Sequence, residues 1–157
     1  MRVRKVTSGD RADIVSIING CDNLSAEEKN CAVELVDIYL SSPGQGDYYF
    51  IAAVDGDDAP AGYVCYGPRP LAQGVYDMYW IVVDKGKRRS GVGRALLEHT
   101  VSILKEEGAR IILAETSGLP EYGAAREFYS MNGFAAEARI KGFYKPQDDL
   151  VIYVKRL

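Results

Sequence analysis

One histidine, His99, and three cysteines, Cys21, Cys31 and Cys65, are all that 157 residues offer for metal or thiol chemistry. The cysteines are odd in number and lack metal-ligand spacing, which argues against a zinc site and for reduced thiols. None has a neighbouring base in the sequence that would make it a nucleophile. No apolar run approaches the roughly 20 residues that span a bilayer. The start, Met1-Arg2-Val3-Arg4-Lys5, is basic, but Thr7-Ser8-Gly9-Asp10 is not the apolar core of a signal peptide, so a cytoplasmic location is expected. An excess of positive charge is also missing. The net charge of -3 and pI near 5.2 speak against a nucleic-acid binder, which carries a broad basic face. Internal repeats and linkers are absent as well.

What is present suits one soluble domain over residues 1–157, with 47% hydrophobic and 26% charged residues. Its basic residues crowd into Asp84-Lys85-Gly86-Lys87-Arg88-Arg89-Ser90-Gly91-Val92-Gly93-Arg94. That stretch follows a strand-like apolar run, Tyr79 to Val83, and leads into a helix-like one from Ala95. Glycines allow close backbone approach, the first helical N–H groups lack intrahelical partners, and arginines add positive charge. Together these make a site for a phosphate-bearing ligand.

The remaining elements are read in order. Val3 to Thr7 alternates as a short strand. Ser8 or Asp10 then caps a helix carrying Ile14, Val15, Ile17 and Ile18 and ending at Gly20. Ser25-Ala26-Glu27-Glu28 has the form of a capping box ahead of a second amphipathic helix, stopped by Ser41-Ser42-Pro43-Gly44. Tyr48 to Val54 and Gly62 to Tyr66 form a hairpin across Asp55 to Pro60, and Gly67-Pro68-Arg69-Pro70 breaks the second strand. A third strand runs from Val75 to Val83. After the basic loop come a helix from Gly91 to Glu107, a buried strand from Arg110 to Ala114 parallel to Tyr79–Val83, and a helix from Glu121 to Met131 closed by Asn132-Gly133. Strands Phe134–Lys141 and Leu150–Arg156, joined by residues 142–149, end the chain. The order β-α-α-β-β-β-α-β-α-β-β predicts an α/β (α+β) fold: a mixed, mostly antiparallel sheet of about seven strands with about four helices on its faces.

Two nucleotide devices fail on this loop. A P-loop needs G-x-x-x-x-G-K-S/T, yet Gly86-Lys87 is followed by Arg88 and the earlier glycine position holds Ile81. A dinucleotide fingerprint, G-x-G-x-x-G, is half present as Gly91-Val92-Gly93, with Leu96 in place of its third glycine and six residues, Lys85 to Ser90, where its turn is tight.

Arg88-Arg89-Ser90-Gly91-Val92-Gly93 resembles the Q/R-x-x-G-x-G/A loop of the GNAT N-acetyltransferase superfamily. Ala125-Arg126-Glu127-Phe128-Tyr129-Ser130-Met131-Asn132-Gly133-Phe134 resembles its A-x-x-F-Y-x-x-x-G-F segment, and the element order is that of its fold. The resemblance implies an enzyme that moves the acetyl group of acetyl-CoA, as co-substrate and without a metal, to a primary amine. By position, Arg88, Arg89, Ser90, Gly91, Val92, Gly93 and Arg94 would hold the pyrophosphate. Main-chain groups of Ile81, Val82 and Val83 would pair with the pantetheine arm and face the thioester carbonyl, where an N–H stabilises the oxyanion of a tetrahedral intermediate. Tyr129 takes the general-acid position beside the departing thiolate. Adjacent in a helix, Phe128 and Tyr129 point about 100° apart, so one fills the core while the other faces the cleft. Phe128, lacking a hydroxyl, is the cheaper to bury. Tyr122 stands where the family often has an asparagine that contacts the arm, and Ala125 is small enough to let the arm pass.

Attack requires a neutral amine, so a base is expected. Glu115, at the carboxyl end of a buried strand, is the first candidate and Asp77 the second, with an ordered water as the alternative to either. His99 lies within the third helix, in a partly exposed and non-catalytic place. Acceptor specificity is expected from Asp22, Asn23, Glu27, Tyr48, Tyr66, Tyr76, Tyr79, Phe143 and Tyr144, which suit a small cationic amine or an amino acid. Other readings are a non-catalytic acyl-CoA sensor and an enzyme acting on a protein N-terminus or lysine. No nucleic-acid or membrane partner is expected, and the chain is read as a monomer or homodimer.

Overall fold

The computed structural model describes residues 1–157. Seven strands form one sheet in the order β1-β2-β3-β4-β5-β7-β6. They are β1 (Arg2–Lys5), β2 (Tyr49–Val54), β3 (Pro60–Pro68), β4 (Val75–Val83), β5 (Ile111–Ser117), β6 (Ala135–Lys145) and β7 (Asp148–Arg156). Every neighbouring pair is antiparallel except β4 with β5. A helical connection separates those two, which is the condition for a parallel pair. The helices are α1 (Arg11–Asn19), α2 (Ala26–Ser41), α3 (Val92–Glu106) and α4 (Gly123–Met131).

Each sheet face has its own core. Ile14, Ile18 and Val36 of α1 and α2 pack on Phe50, Ala52 and Tyr63. On the opposite face, Leu96 and Leu104 of α3 meet Val64, Ile112 and Tyr153. The apolar positions of α3 recur at helical spacing, with Val92, Leu96, Leu97, Thr100 and Leu104 buried. Thr100 is tolerated inside because its hydroxyl donates to the Leu96 carbonyl at 2.8 Å.

The Ser25 capping box forms as its residues require. The Glu28 N–H donates to Ser25 Oγ at 3.1 Å, and the Ser25 N–H donates to Glu28 Oε2 at 2.7 Å. The start of α1 differs from the sequence reading. Thr7 caps a 3-10 turn, Ser8–Asp10, that runs directly into the helix. Asp10 does not cap with its side chain because its carboxylate is drawn to the Arg4 guanidinium at 2.7 and 2.9 Å.

The terminal hairpin is longer than its sequence suggests. Residues read as a connecting segment, 142–149, belong mostly to β6 and β7, with the turn made at Pro146 and Gln147. Gly142 at φ +61° and Gln147 at φ +68° absorb the reversal, and the register slips between Ile140 and Lys145. Strand β5 likewise continues past Ala114 to Ser117, and β3 extends over Gly67 and Pro68. Only glycine fits at 67, since a Cβ there would lie 1.8 Å from the Asp47 carbonyl oxygen.

The feature that shapes the site lies in β4. Pairing with β3 skips Tyr79: Tyr66 faces Met78 and Cys65 faces Trp80. The extra residue is a bulge, which bends its strand and increases twist. Pairing between β4 and β5 covers only Val75, Tyr76 and Asp77 against Ile111, Ile112 and Leu113. Beyond Asp77 the two strands part.

The Arg4–Asp10 pair ties β1 to α1 and gives the fold an acid-sensitive joint. Arg4, followed by the Thr7 N–H and hydroxyl, holds the Asp10 carboxyl down at about 2 against an ordinary 3.8. A depressed carboxyl contributes stability that is complete above its unfolded pKa and lost as pH falls towards the folded one. The wild type should therefore lose about 2 kcal/mol between pH 5 and pH 2 that Asp10→Asn does not lose, measured by urea unfolding.

Candidate active site

The parted strands leave a gap that widens from Asp77 towards Val83 on β4 and Ser117 on β5. The half of β4 that carries Ile81, Val82 and Val83 is paired on the β3 side alone. Val82 is buried, while Ile81 and Val83 are partly open. The start of α3 sits where the gap is widest: a Cβ on Gly93 would lie 3.5 Å from Val83 Cγ2 and 3.2 Å from Phe128 Cε2. End of strand, start of helix and α4 thus converge on one place.

The loop between β4 and α3 is built to present N–H groups. Asp84 Oδ1 accepts from the Gly86 N–H at 2.8 Å and the Asp84 carbonyl from the Lys87 N–H at 2.9 Å, which winds the chain into a 3-10 turn. The Ser90 hydroxyl donates to the Lys87 carbonyl. Arg89 at φ +61° and Gly91 at φ +86° are both left-handed. Such alternation turns successive N–H groups towards a common concavity. From Arg88 through Arg94 no N–H finds an acceptor within the chain; the first helical hydrogen bond is that of Ala95 to the Gly91 carbonyl. All residues proposed from the sequence for this loop are therefore together, with Gly91 as N-cap and Val92 opening the helix.

The loop's cations differ in their engagements. Lys85 pairs with Asp22 and Arg94 with Glu98. Arg88 hydrogen-bonds to the Cys21 thiol, at 3.9 Å, and lies close enough to Asp22 to lower its carboxyl, while Arg89 pairs with no carboxylate. A cavity of 660 Å³ opens from this loop between α3 and α4, floored by Val83, Gly93 and Leu97 and walled by Phe128, Asn132 and Lys155.

The aromatic pair of α4 is arranged the other way round from the cheaper-to-bury expectation. Phe128 is half-buried and lines the cavity, whereas Tyr129 is 8% exposed. Its ring is held among Phe134 and Tyr153, with centroids 5.4 Å away in each case. The hydroxyl escapes the usual cost of burial by a different route. It hydrogen-bonds to nothing in the chain, yet it is not sealed in as the Tyr63 hydroxyl is. Burial, then the neighbouring Tyr144 phenol, pushes the Tyr129 hydroxyl up to about 12. Ala125 packs partly buried against the same core.

Tyr122 precedes α4 as its N-cap, in a 3-10 turn over Pro120–Tyr122. Its hydroxyl donates to the Glu28 carboxylate, at 3.0 and 3.2 Å, and so ties α2 to the start of α4. Burial and then that carboxylate raise the Tyr122 phenol.

The two candidate bases meet at a residue the sequence reading treated only as a strand breaker. Arg69 Nη1 donates to Asp77 Oδ1 at 3.1 Å and lies 3.8 Å from Glu115 Oε1. It sits over the fork where β4 and β5 separate. Asp77 is buried and Glu115 is 41% exposed, so Glu115 is the more open of the two. Nothing in the spacing of Arg69, Asp77 and Glu115 signals this triad; it exists because β3, β4 and β5 are adjacent. His99 is exposed on α3.

The remaining aromatic residues divide. Tyr48 and Tyr79 meet edge to face at 5.5 Å, and burial, then Asp77, pushes the Tyr79 phenol up to about 12. Tyr144 is 48% exposed; burial, then Glu115, Asp148 and Glu28, pushes its phenol up to about 12. Tyr66 instead belongs to the core, and Tyr76 donates to Glu107 at the far end of α3. Asp22 is taken by Lys85.

The sequence model described as Acetyltransferase (GNAT) family matches residues 17–134. Comparison with the curated proteins gives no significant match. Among solved structures, a GNAT-family protein from Desulfovibrio desulfuricans is 39% identical, with 99% of this chain and 98% of that one aligned at a TM-score of 0.91. The ribosomal-protein-S18-alanine N-acetyltransferase of Escherichia coli is 19% identical, over 99% and 92% of the two chains, at 0.75. The PaiA N-acetyltransferase of Thermoplasma acidophilum, solved with coenzyme A, is 16% identical over 99% and 98%, at 0.78. With loop, gap and aromatic helix in the arrangement just described, and with that match over most of its length, this chain belongs to the Acetyltransferase (GNAT) family.

Proposed function

We propose that this protein transfers the acetyl group of acetyl-CoA to a primary amine of a small molecule by direct attack on the thioester. Support comes from one juxtaposition: the row of free N–H groups from Arg88 to Arg94 opens on the end of β4 at Val83 and on Phe128 of α4, whose neighbour in the helix is Tyr129. Acetyl-CoA supplies the activated acyl group as a co-substrate, as coenzyme A is held by the Thermoplasma relative. The residues present fit it. The N–H row and the helix start suit a pyrophosphate, Arg88 and Arg89 have no carboxylate within 4 Å, and the 660 Å³ cavity leads away from the loop between α3 and α4.

In this reading the unpaired edge of β4 at Ile81, Val82 and Val83 takes the pantetheine arm as an added strand would be taken, with an N–H turned to the thioester oxygen. Tyr122 and Ala125 flank the arm from the α4 side. The acceptor nitrogen forms the new bond to the acyl carbon as the carbon–sulfur bond breaks. Its surplus proton leaves towards Glu115 or a water beside it, with Asp77 fixed by Arg69 as the less accessible choice.

Tyr129 has a defined task. A phenol near 12 is a weaker acid than a thiol at about 8.5, so full donation to the leaving thiolate is uphill. The hydroxyl instead stabilises the sulfur charge as a hydrogen-bond donor, and its proton moves only as another replaces it. The same elevation keeps it protonated at every ordinary working pH.

Two variants and one assay test this reading. Tyr129→Phe should lower kcat by about a hundredfold while the calorimetric affinity for CoA changes less than about twofold; an unaltered rate removes the hydroxyl from the reaction. Gly91→Val places a β-branched residue at φ +86°, where it costs on the order of 1–2 kcal/mol. CoA binding by calorimetry should weaken at least about tenfold in a protein whose circular dichroism is unchanged. Thiol release from acetyl-CoA with a panel of primary amines is the direct assay, and tight CoA binding without turnover on any amine would favour the sensor reading instead.

A further inference from the structure

The cavity between α3 and α4 has a second cationic end. Its loop end carries the N–H row, Arg88 and Arg89. From there Gly93, Leu97 and Val101, at successive turns, present one face of α3 along it, a run of about 12 Å at 1.5 Å per residue. Lys155 of β7 stands at the far end, beside Asn132, the C-cap of α4. It pairs with Ile112 at the start of β5, whereas the loop follows the end of β4, and the two strands run parallel. Between these ends the walls are apolar. Phe128 is half-buried, and Met131 is 78% exposed, an apolar surface that the chain leaves uncovered. One carboxylate borders the cavity, that of Glu98, and Arg94 holds it at 2.7 Å.

Lys155 is a positioned charge. Its Nζ donates to the Asn132 carbonyl at 2.7 Å and lies 5.7 Å from the centroid of the Phe134 ring. Gly133 makes room for it: φ is +81° there, and a Cβ would stand 2.8 Å from the ammonium. A cation at a helix C-terminus complements the dipole of α4, and that accounts for the one hydrogen bond. An ammonium has three donors, however, and Lys155 has no carboxylate within 4 Å and no second acceptor. Two donors of a half-buried lysine are therefore left over on the wall of a cavity whose other end already suits phosphate.

We propose that this end of the cavity seats the 3′-phosphate of coenzyme A, with Lys155 as the residue that recognises it. The pyrophosphate lies in the middle of the coenzyme. With the pantetheine arm on the free edge of β4, the ribose, adenine and 3′-phosphate leave the loop the other way, and the α3–α4 cavity is the space that continues from it. The adenine covers Phe128 and Met131, which suit a flat aromatic base. The phosphate takes the spare donors of Lys155 in charge-assisted bonds. Lys155 is then a specificity-determining residue: it separates coenzyme A from carriers of the same arm that lack this phosphate, dephospho-coenzyme A and the phosphopantetheine of a carrier protein. The inference rests on the coenzyme reading of the loop, but not on transfer to an amine.

The test is calorimetric binding of coenzyme A and of 3′-dephospho-coenzyme A, with thiol release measured alongside. The wild type should bind coenzyme A at least about tenfold more tightly than the dephospho form. Lys155→Met keeps the apolar stem and removes the charge. It should bring that ratio to within about twofold by weakening coenzyme A alone, while Lys155→Arg should keep most of the preference. A lysine that only caps α4 would instead make Lys155→Met weaken both ligands alike, or lower the melting temperature with the ratio unchanged, and either result overturns the inference. Equal affinity of the wild type for the two coenzymes overturns it with no variant needed. Discrimination in binding without thiol release from acetyl-CoA would uphold the Lys155 site while counting against the transferase reading. Thiol release from acetyl-dephospho-CoA at an equal kcat/KM would overturn the Lys155 site and leave the transferase reading standing.

Discussion

The separation of β4 from β5 is the constraint on which the rest depends. A parallel pair joined by a helix would ordinarily continue along its length, and every further residue would satisfy backbone groups in both strands. Here pairing ends after three residues, because the extra residue at Tyr79 bends β4 while it stays in register with β3. The unmade hydrogen bonds leave main-chain donors and acceptors at Ile81 to Val83 that water or a ligand must satisfy. A sheet edge is thus created in the middle of a sheet, where the flanking strands hold it rigid. It is not an outer edge open to another sheet, since strands flank it on both sides.

The same separation decides what can stand at either end of the gap. At the wide end there is room for the start of α3, whose approach requires glycine at 93, flanked by Val83 and Phe128. At the narrow end, Arg69 reaches across the fork to Asp77 and Glu115 and neutralises part of two carboxylates brought together by adjacent strands. One end is therefore rich in N–H groups and cations, the other in carboxylates and phenols. A ligand with phosphates at one terminus finds only one orientation along such a gradient.

Most of this architecture was legible as sequence because it is local. The Ser25–Glu28 capping box, the apolar spacing of α3 and the Arg88–Gly93 loop each depend on residues within a few positions of one another. What could not be read depends on strand adjacency. The Tyr79 bulge has no glycine to mark it, and the Arg69 triad joins three strands. The Tyr122–Glu28 contact spans 94 positions. Residues 142–149 were read as a connection because Gly142 and Pro146 look like breakers, yet the cross-strand pairing of Lys145 with Asp148 makes them the tip of a hairpin. The inverted burial of Phe128 and Tyr129 follows from the same limit: a hydroxyl makes tyrosine the dearer residue to bury only if the oxygen is buried with the ring.

That last distinction bears on the charge at the acceptor end. The Tyr129 ring is buried while its oxygen is not sealed in, and its ionisation is governed first by burial and then by the Tyr144 and Tyr153 phenols beside it. The Tyr144 phenol stands between it and the carboxylates of Glu115, Asp148 and Glu28. A positive charge among those carboxylates would lower the Tyr144 phenol, and a Tyr144 that ionises more readily would hold the Tyr129 proton more tightly, not less. With both phenols up at about 12, each stays protonated near neutral pH, so the Tyr129 hydroxyl remains a hydrogen-bond donor whatever the state of its neighbour.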